Sequence, residues 1–124
     1  MPRVLVVDDT DDIRELVATL LQRKGFDVTT AVGGRQGVAQ ASSDQPDLIL
    51  MDLNMPDMDG WRATREIREA GIPTPVIALT AHMTAEDQAR AAAAGFDGFQ
   101  TKPLELDNLL AMIEELLSAR KIDT

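Results

Sequence analysis

Leu48-Ile49-Leu50-Met51-Asp52-Leu53-Asn54-Met55-Pro56 is the stretch whose reading decides the fold. An unbroken apolar run delivers a carboxylate, and the chain then breaks. Such a run, bounded by turn residues, reads as a strand buried on both faces, as in a parallel sheet. Pro46 stands before it and Pro56 after it, so it cannot grow into a long helix. Asp52 therefore falls at the carboxyl end of a central strand, where open α/β sheets bind their ligands. Taken alone, it reads equally well as an acid that merely caps a turn.

Working outward, Arg3-Val4-Leu5-Val6-Val7 is a second short apolar run that ends in acids, Asp8-Asp9. Asp11 or Asp12 is in place to cap a helix that carries Ile13, Leu16, Val17, Leu20 and Leu21 on one face and stops at Gly25. Phe26 to Ala31 is a more polar strand, expected at an edge. Gly33, Gly34 and Gly37 open a poor helix that runs to about Ser42 and must lean on tertiary packing. Beyond the central strand, a turn at Asp57-Met58-Asp59-Gly60 leads into a helix from about Asp59 to Ala70. Val76-Ile77-Ala78-Leu79 is a strand ending in Thr80. Thr84 and Asp87 form a capping pair ahead of an alanine-rich helix that ends at Gly95. Asp97-Gly98-Phe99-Gln100 is a short strand that delivers Thr101-Lys102, and Pro103 opens a last helix with Leu106, Leu109, Leu110, Ile113 and Leu117 on one face. Strand then helix, repeated along the chain, predicts a parallel sheet with helices on both faces.

The chain has 124 residues, which suits one domain spanning 1–124 with one real core. A net charge of −9 argues against a nucleic-acid partner and suits a cation or a basic surface. There is no cysteine, hence no disulfide framework and no zinc-thiolate site. No apolar run approaches the roughly 20 residues that span a bilayer. Met1-Pro2-Arg3 leads straight into a strand, with no room for a signal peptide. A cytoplasmic location is the expectation.

In a parallel sheet all carboxyl ends lie on one edge, so Asp8, Asp9, Asp52, Thr80 and Lys102 are expected to converge. Carboxylates about 4 Å apart repel by roughly 4 kcal/mol per pair at an effective dielectric of about 20. A small oxygen-seeking cation, Mg²⁺, would offset that. With an acid, a hydroxyl, an ammonium and a divalent ion around one point, the edge suits a phosphoryl group, for which Asp is a competent acceptor. Each residue also has a plain reading: Asp8 and Asp9 as helix caps, Thr80 as a strand end, Lys102 as a solvated lysine. What favours the site is that each falls at the end of its own strand.

The chain resembles the receiver domain of two-component response regulators from Arg3 to about Ala119. The motifs that carry this are Val6-Val7-Asp8-Asp9, Leu50 to Gly60, Ala78-Leu79-Thr80-Ala81 and Gly98 to Pro103. The resemblance implies a flavodoxin-like, doubly wound sheet of order 2-1-3-4-5. It implies that Asp52 accepts a phosphoryl group from a phosphohistidine on a sensor histidine kinase or a histidine phosphotransfer protein. Mg²⁺, or Mn²⁺ in its place, would be held by Asp9, Asp52, the backbone carbonyl of Asn54 and, through water, Asp8. Thr80 and Lys102 would bind phosphoryl oxygens, and Phe99 would turn inward as Thr80 moves. Lys102-Pro103 would be cis, and Asn54 and His82 would modulate loss of the phosphoryl group. The output would be a downstream protein bound on the face of the fourth helix, fifth strand and fifth helix. Trp61 reads as a partly buried residue at the start of a helix. The same resemblance implies a signalling protein that catalyses only its own phosphorylation and dephosphorylation.

Two rivals differ in kind. A haloacid-dehalogenase-like phosphohydrolase also uses an aspartyl phosphate, but it places a second Asp two residues after the nucleophile, where this chain has Asn54, and puts the nucleophile on its first strand. A receiver-like module that never accepts phosphate would lack an acid or the lysine, and none is missing here.

Overall fold

The computed structural model describes residues 1–81 and 83–122, with the backbone alone at 120–122. The elements alternate as expected: β1 (Arg3–Val7), α1 (Asp11–Arg23), β2 (Asp27–Ala31), α2 (Gly34–Ser43), β3 (Leu48–Asp52), α3 (Gly60–Glu69), β4 (Val76–Thr80), α4 (Ala85–Ala94), β5 (Gly98–Thr101) and α5 (Leu106–Ile122). The strands form one parallel sheet of order β2-β1-β3-β4-β5. β3 and β4 are buried along their whole length, as their uninterrupted apolar runs require.

Strand side chains alternate between two faces. Leu5, Val7, Ile49, Met51, Val76 and Ala78 join Ala41 of α2, Ala63 and Ile67 of α3 and Ala91 of α4 in one core. Val4, Val6, Leu48, Leu50, Ile77 and Leu79 join Val17 and Leu21 of α1 and Leu109 and Ile113 of α5 in the other. The sheet is thus covered on both sides, by α2, α3 and α4 on one and by α1 and α5 on the other.

Several details depart from the sequence reading. The N-cap of α1 is Thr10, with Asp11 as the first helical residue, so neither Asp11 nor Asp12 caps it. The amide of Thr10 donates instead to Asp8 Oδ1 at 2.9 Å, and this local turn makes a side-chain cap unnecessary. Leu16 is 59% exposed rather than buried. The seated face of α1 is Arg14, Val17, Ala18 and Leu21, at the i, i+3, i+4, i+7 spacing but in a different phase. Leu16 and Leu20 instead flank an apolar groove of about 270 Å³ against Pro103, Leu104 and Leu106. α5 begins at Leu106, not Pro103. β2 starts at Asp27, and β5 runs one residue later than expected, from Gly98 to Thr101. The Thr84–Asp87 capping box is complete: Thr84 Oγ1 accepts from the Asp87 amide at 3.0 Å, and Asp87 Oδ2 accepts from the Thr84 amide at 3.2 Å.

Candidate functional site

Register sets the height of each residue on the sheet edge. Val7 pairs with Met51, so Asp8 follows β1 at the level where Asp52 ends β3. Asp52 pairs with Leu79, the residue before Thr80, and Thr80 pairs with Thr101, the residue before Lys102. The amide of Lys102 donates to the Thr80 carbonyl at 2.7 Å and carries the chain past the end of β5. The Lys102–Pro103 peptide is cis.

The side chains of Asp8, Asp9 and Asp52 converge, each offering an oxygen within 4.8 Å of the others. Asp8 and Asp52 are buried, and Asp9 faces solvent. Lys102 Nζ stands 3.4 Å from Asp52 Oδ1 and 3.6 Å from Asp8 Oδ2. Asp52 Oδ1 also accepts from the Asn54 amide at 3.2 Å. Thr80 closes β4 and is nearly buried. Phe99 pairs with Ala78 and packs, partly buried, on the α2–α3–α4 core. His82 lies outside the described residues.

α3 reaches this edge because Gly60 has no side chain. A Cβ there would come within 2.3 Å of the Asp52 carbonyl oxygen. The Gly60 amide donates to Leu53 O at 3.1 Å, and Asp59 caps the helix by accepting from the Arg62 amide at 2.8 Å.

Burial pushes the Asp52 carboxyl above the usual carboxylate range. The Asn54 amide draws it down, the Asp8 charge pushes it up again, and Lys102 lowers it; the rise prevails. Asp8 Oδ2 is buried and accepts no hydrogen bond from any described residue. Hard carboxylate oxygens, with one of them unsatisfied and more negative charge than Lys102 can balance, fit a small divalent cation that keeps some of its waters. The residues that could hold it are Asp8, Asp9, Asp52 and the backbone at Asn54.

Three contributors to this side of the molecule, and a fourth at the opposite edge, escaped the sequence reading. Arg14 is buried beneath the acid pair, with Nη1 donating to the Asp8 carbonyl at 2.9 Å and Nη2 paired with Asp11 Oδ1. Asp57 caps α2 across the fold, accepting from the amides of Gly34 and Arg35, both at 3.2 Å. Slight burial works against its ionisation, but those amides together with the amides of Met58 and Asp57 itself hold its carboxyl below the ordinary value. Arg90 of α4 lies over the Trp61 ring at 4.2 Å from its centroid, and Trp61 meets Phe96 edge-on at 5.5 Å. Arg68 ties the far edge: its guanidinium donates to the carbonyls of Gly95, Ile72 and Thr74 and to Asp97 Oδ2, at 2.7 to 3.0 Å. In the sequence the only hint is an Arg on an otherwise seated helix face for Arg14. For the other contacts, the partners are too far apart for any local pattern.

No described helix is long and apolar enough to cross a membrane. The family model of the response regulator receiver domain matches residues 4–114. The chain is 39% identical over 119 residues to the DNA-binding dual master transcriptional regulator RpaA of Synechocystis sp., covering 94% of this chain and 49% of that protein. It is 37% identical over 119 residues to the transcriptional regulatory protein PrrA of Mycobacterium tuberculosis, covering 96% and 51%. The chain thus spans about half the length of these curated relatives. Among solved structures, the chemotaxis protein CheY4 of Vibrio cholerae superposes with a TM-score of 0.89 at 34% identity, covering 94% of this chain and 98% of that one. The receiver domain of the Francisella response regulator 1452 superposes with a TM-score of 0.92 at 31% identity, covering 97% and 99%. With the sheet order, the acidic edge and these relatives in agreement, the chain belongs to the receiver domains of two-component response regulators.

Proposed function

We propose that Asp52 is the phosphoryl acceptor. The observation that carries this is its placement: a buried carboxylate at the carboxyl end of β3, 3.4 Å from the Lys102 ammonium and beside Asp8 and Asp9. An Asp52 carboxylate oxygen attacks phosphorus, and the bond from phosphorus to the donor's imidazole nitrogen breaks with its electron pair leaving on that nitrogen. Lys102 and the Thr80 hydroxyl bind phosphoryl oxygens. Asp8, Asp9, Asp52 and the Asn54 carbonyl are the residues that would hold Mg²⁺ or Mn²⁺. When bound, that ion neutralises charge on the transferring group. Loss of the group is a second displacement: water attacks phosphorus, the bond to Asp52 breaks with its electron pair staying on the carboxylate oxygen, and inorganic phosphate leaves. Asn54 and His82 are the residues we assign to tuning that loss.

The donor is a phosphohistidine on a sensor kinase or a histidine phosphotransfer protein, met in the cytoplasm. The chain acts as one receiver domain over 1–124 and turns over no substrate of its own. Its output is a protein bound on the α4–β5–α5 face, through coupled movement of Thr80 and Phe99. The weak seating of α4, in which Ala91 alone is buried, supports a face that can shift.

The test is incubation with acetyl phosphate and Mg²⁺ followed by intact mass. One added phosphoryl group is expected, absent in Asp52→Asn. Modification of Asp52→Asn at the wild-type rate would overturn the assignment.

A further inference from the structure

Arg14 is 8% exposed, although it sits in the first turn of α1, on the surface of the sheet, and carries a full charge. Its one charged partner among the described residues, Asp11, has a side chain that is 76% exposed. A guanidinium taken out of water with so little in return costs stability. What it does make is a bond to the main chain of the acidic edge, from Nη1 to the Asp8 carbonyl at 2.9 Å.

The polar atoms of Asp8 give that bond its meaning. The Asp8 amide donates to Ala31 O at 3.2 Å. Oδ1 accepts from the Thr10 amide at 2.9 Å, and the carbonyl accepts from Arg14. Only Oδ2 accepts no hydrogen bond from a described residue, and it is the oxygen that lies 3.6 Å from Lys102 Nζ, on the side of Asp52. The turn from β1 to α1 is therefore pinned at every polar atom of Asp8 but one, and the Arg14 fork closes it by joining the Asp8 carbonyl to Asp11.

We propose that Arg14 is a positioning residue for the cation site: it clamps the Asp8 carbonyl and thereby holds the Asp8 and Asp9 carboxylates in the geometry that takes a divalent ion. This rests on the metal reading above. Groups that orient metal-binding residues typically change affinity by about 10- to 100-fold when removed. Lys102 acts from the open side of the cluster and Arg14 from beneath it. Their roles differ, since Lys102 also faces the phosphoryl group and Arg14 does not.

Mn²⁺ is the probe, with the free ion followed by electron paramagnetic resonance and each variant's fold checked by urea unfolding. Wild type is expected to bind Mn²⁺; if it does not, the metal reading falls and the proposal with it. Arg14→Met keeps the apolar stem and should weaken Mn²⁺ binding about tenfold or more. Arg14→Lys should recover part of that loss, since it keeps the charge and one donor. Asp11→Asn removes the exposed ion pair but not the carbonyl clamp, and should stay within about twofold of wild type. The amide resonance of Asp9, in the same peptide unit as the Asp8 carbonyl, should move in Arg14→Met and hold in Asp11→Asn. A folded Arg14→Met protein that binds Mn²⁺ as wild type does would overturn the proposal. Should that variant fail to fold, Arg14→Lys decides: a loss of a few-fold supports the clamp, and wild-type affinity refutes it.

Discussion

Asp52→Asn should make the metal-free protein more stable, although most substitutions destabilise. Asp52 and Asp8 are both buried, with oxygens within 4.8 Å, a repulsion of about 3.5 kcal/mol at an effective dielectric of about 20. Asp9 faces solvent, and water screens much of its contribution. Lys102 at 3.4 Å returns about 5 kcal/mol on the same scale. That more than offsets the repulsion from Asp8, so the cost that remains is the desolvation of Asp52, and burial is the largest cause of its raised pKa. A folded-state pKa above the unfolded value means that stability is greatest below the unfolded value, about 3.9 for Asp, and falls as pH rises through the folded one. At pH 7 Asp52→Asn removes that loss, for a gain of about 1–2 kcal/mol after relaxation. With a urea slope of about 2 kcal/mol per molar, the midpoint in EDTA should rise by about 0.5–1 M. The gain should fade as pH falls through the folded pKa, where the wild-type carboxyl takes up its proton. Mg²⁺ at 100 times its dissociation constant should stabilise wild type by about 2.7 kcal/mol and the Asn variant less. An Asp52→Asn protein that is less stable than wild type in EDTA at pH 7 would refute the reasoning. So would a wild-type midpoint unmoved by Mg²⁺.

Thr80→Ala and Lys102→Ala should each still accept phosphate in part, since Asp52 and the acids remain, yet lose the shift changes at Phe99 and α4 on beryllofluoride addition; full-sized changes in Thr80→Ala would remove it from the switch. Arg68→Met strands the carbonyls of Gly95, Ile72 and Thr74 and should cost about 2–4 kcal/mol in urea unfolding, with α4 amides exchanging faster. A loss under about 0.5 kcal/mol would show that water replaces those bonds freely. Asp57→Ala removes the cap of α2 and should cost about 1 kcal/mol at pH 7. Because the Asp57 pKa is lowered in the fold, its stabilisation is present above the ordinary carboxylate value and is lost as pH falls through the folded one, so wild type and variant should converge below the folded pKa. A pH-independent difference would assign the effect to packing against Gly33.

The residues at the strand ends were legible because a strand buried on both faces must be apolar throughout, and the first charge after it marks the edge. Asp52 after β3 and Asp8 after β1 stand out in this way, and Thr80 is the first polar residue of β4; Lys102 follows the more polar β5, where the contrast is weaker. The seating of α1 was not legible. Ile13, Leu16, Val17, Leu20 and Leu21 have helical spacing, but spacing gives a period and not a phase. Here the phase is turned so that a charged residue, Arg14, goes in and Leu16 stays out. The Asp57 cap and the Arg68 ties join segments far apart in the chain, and local pattern carries no record of them. Trp61 was read correctly as partly buried, yet its contact with Arg90 depends on how α3 and α4 lie side by side.

The strand order has a consequence for where the molecule opens. β1 is paired on both sides, with β2 and β3, so the chain up to Asp52 closes a three-stranded block around one central strand. β4 joins that block through β3, and β5 is paired with β4 alone. β5 is the least buried strand apart from β2, and α4 beside it buries a single residue. Sub-global unfolding that frees β5 and its flanking helices leaves the β2-β1-β3 block whole, whereas freeing β1 also strands β2 and strips one side of β3. Amide exchange should therefore grade across the sheet, slowest in β1 and β3 and faster towards the two edges, β2 and β5. The face proposed above for output thus lies in a part of the sheet that can open while the β2-β1-β3 block stays whole.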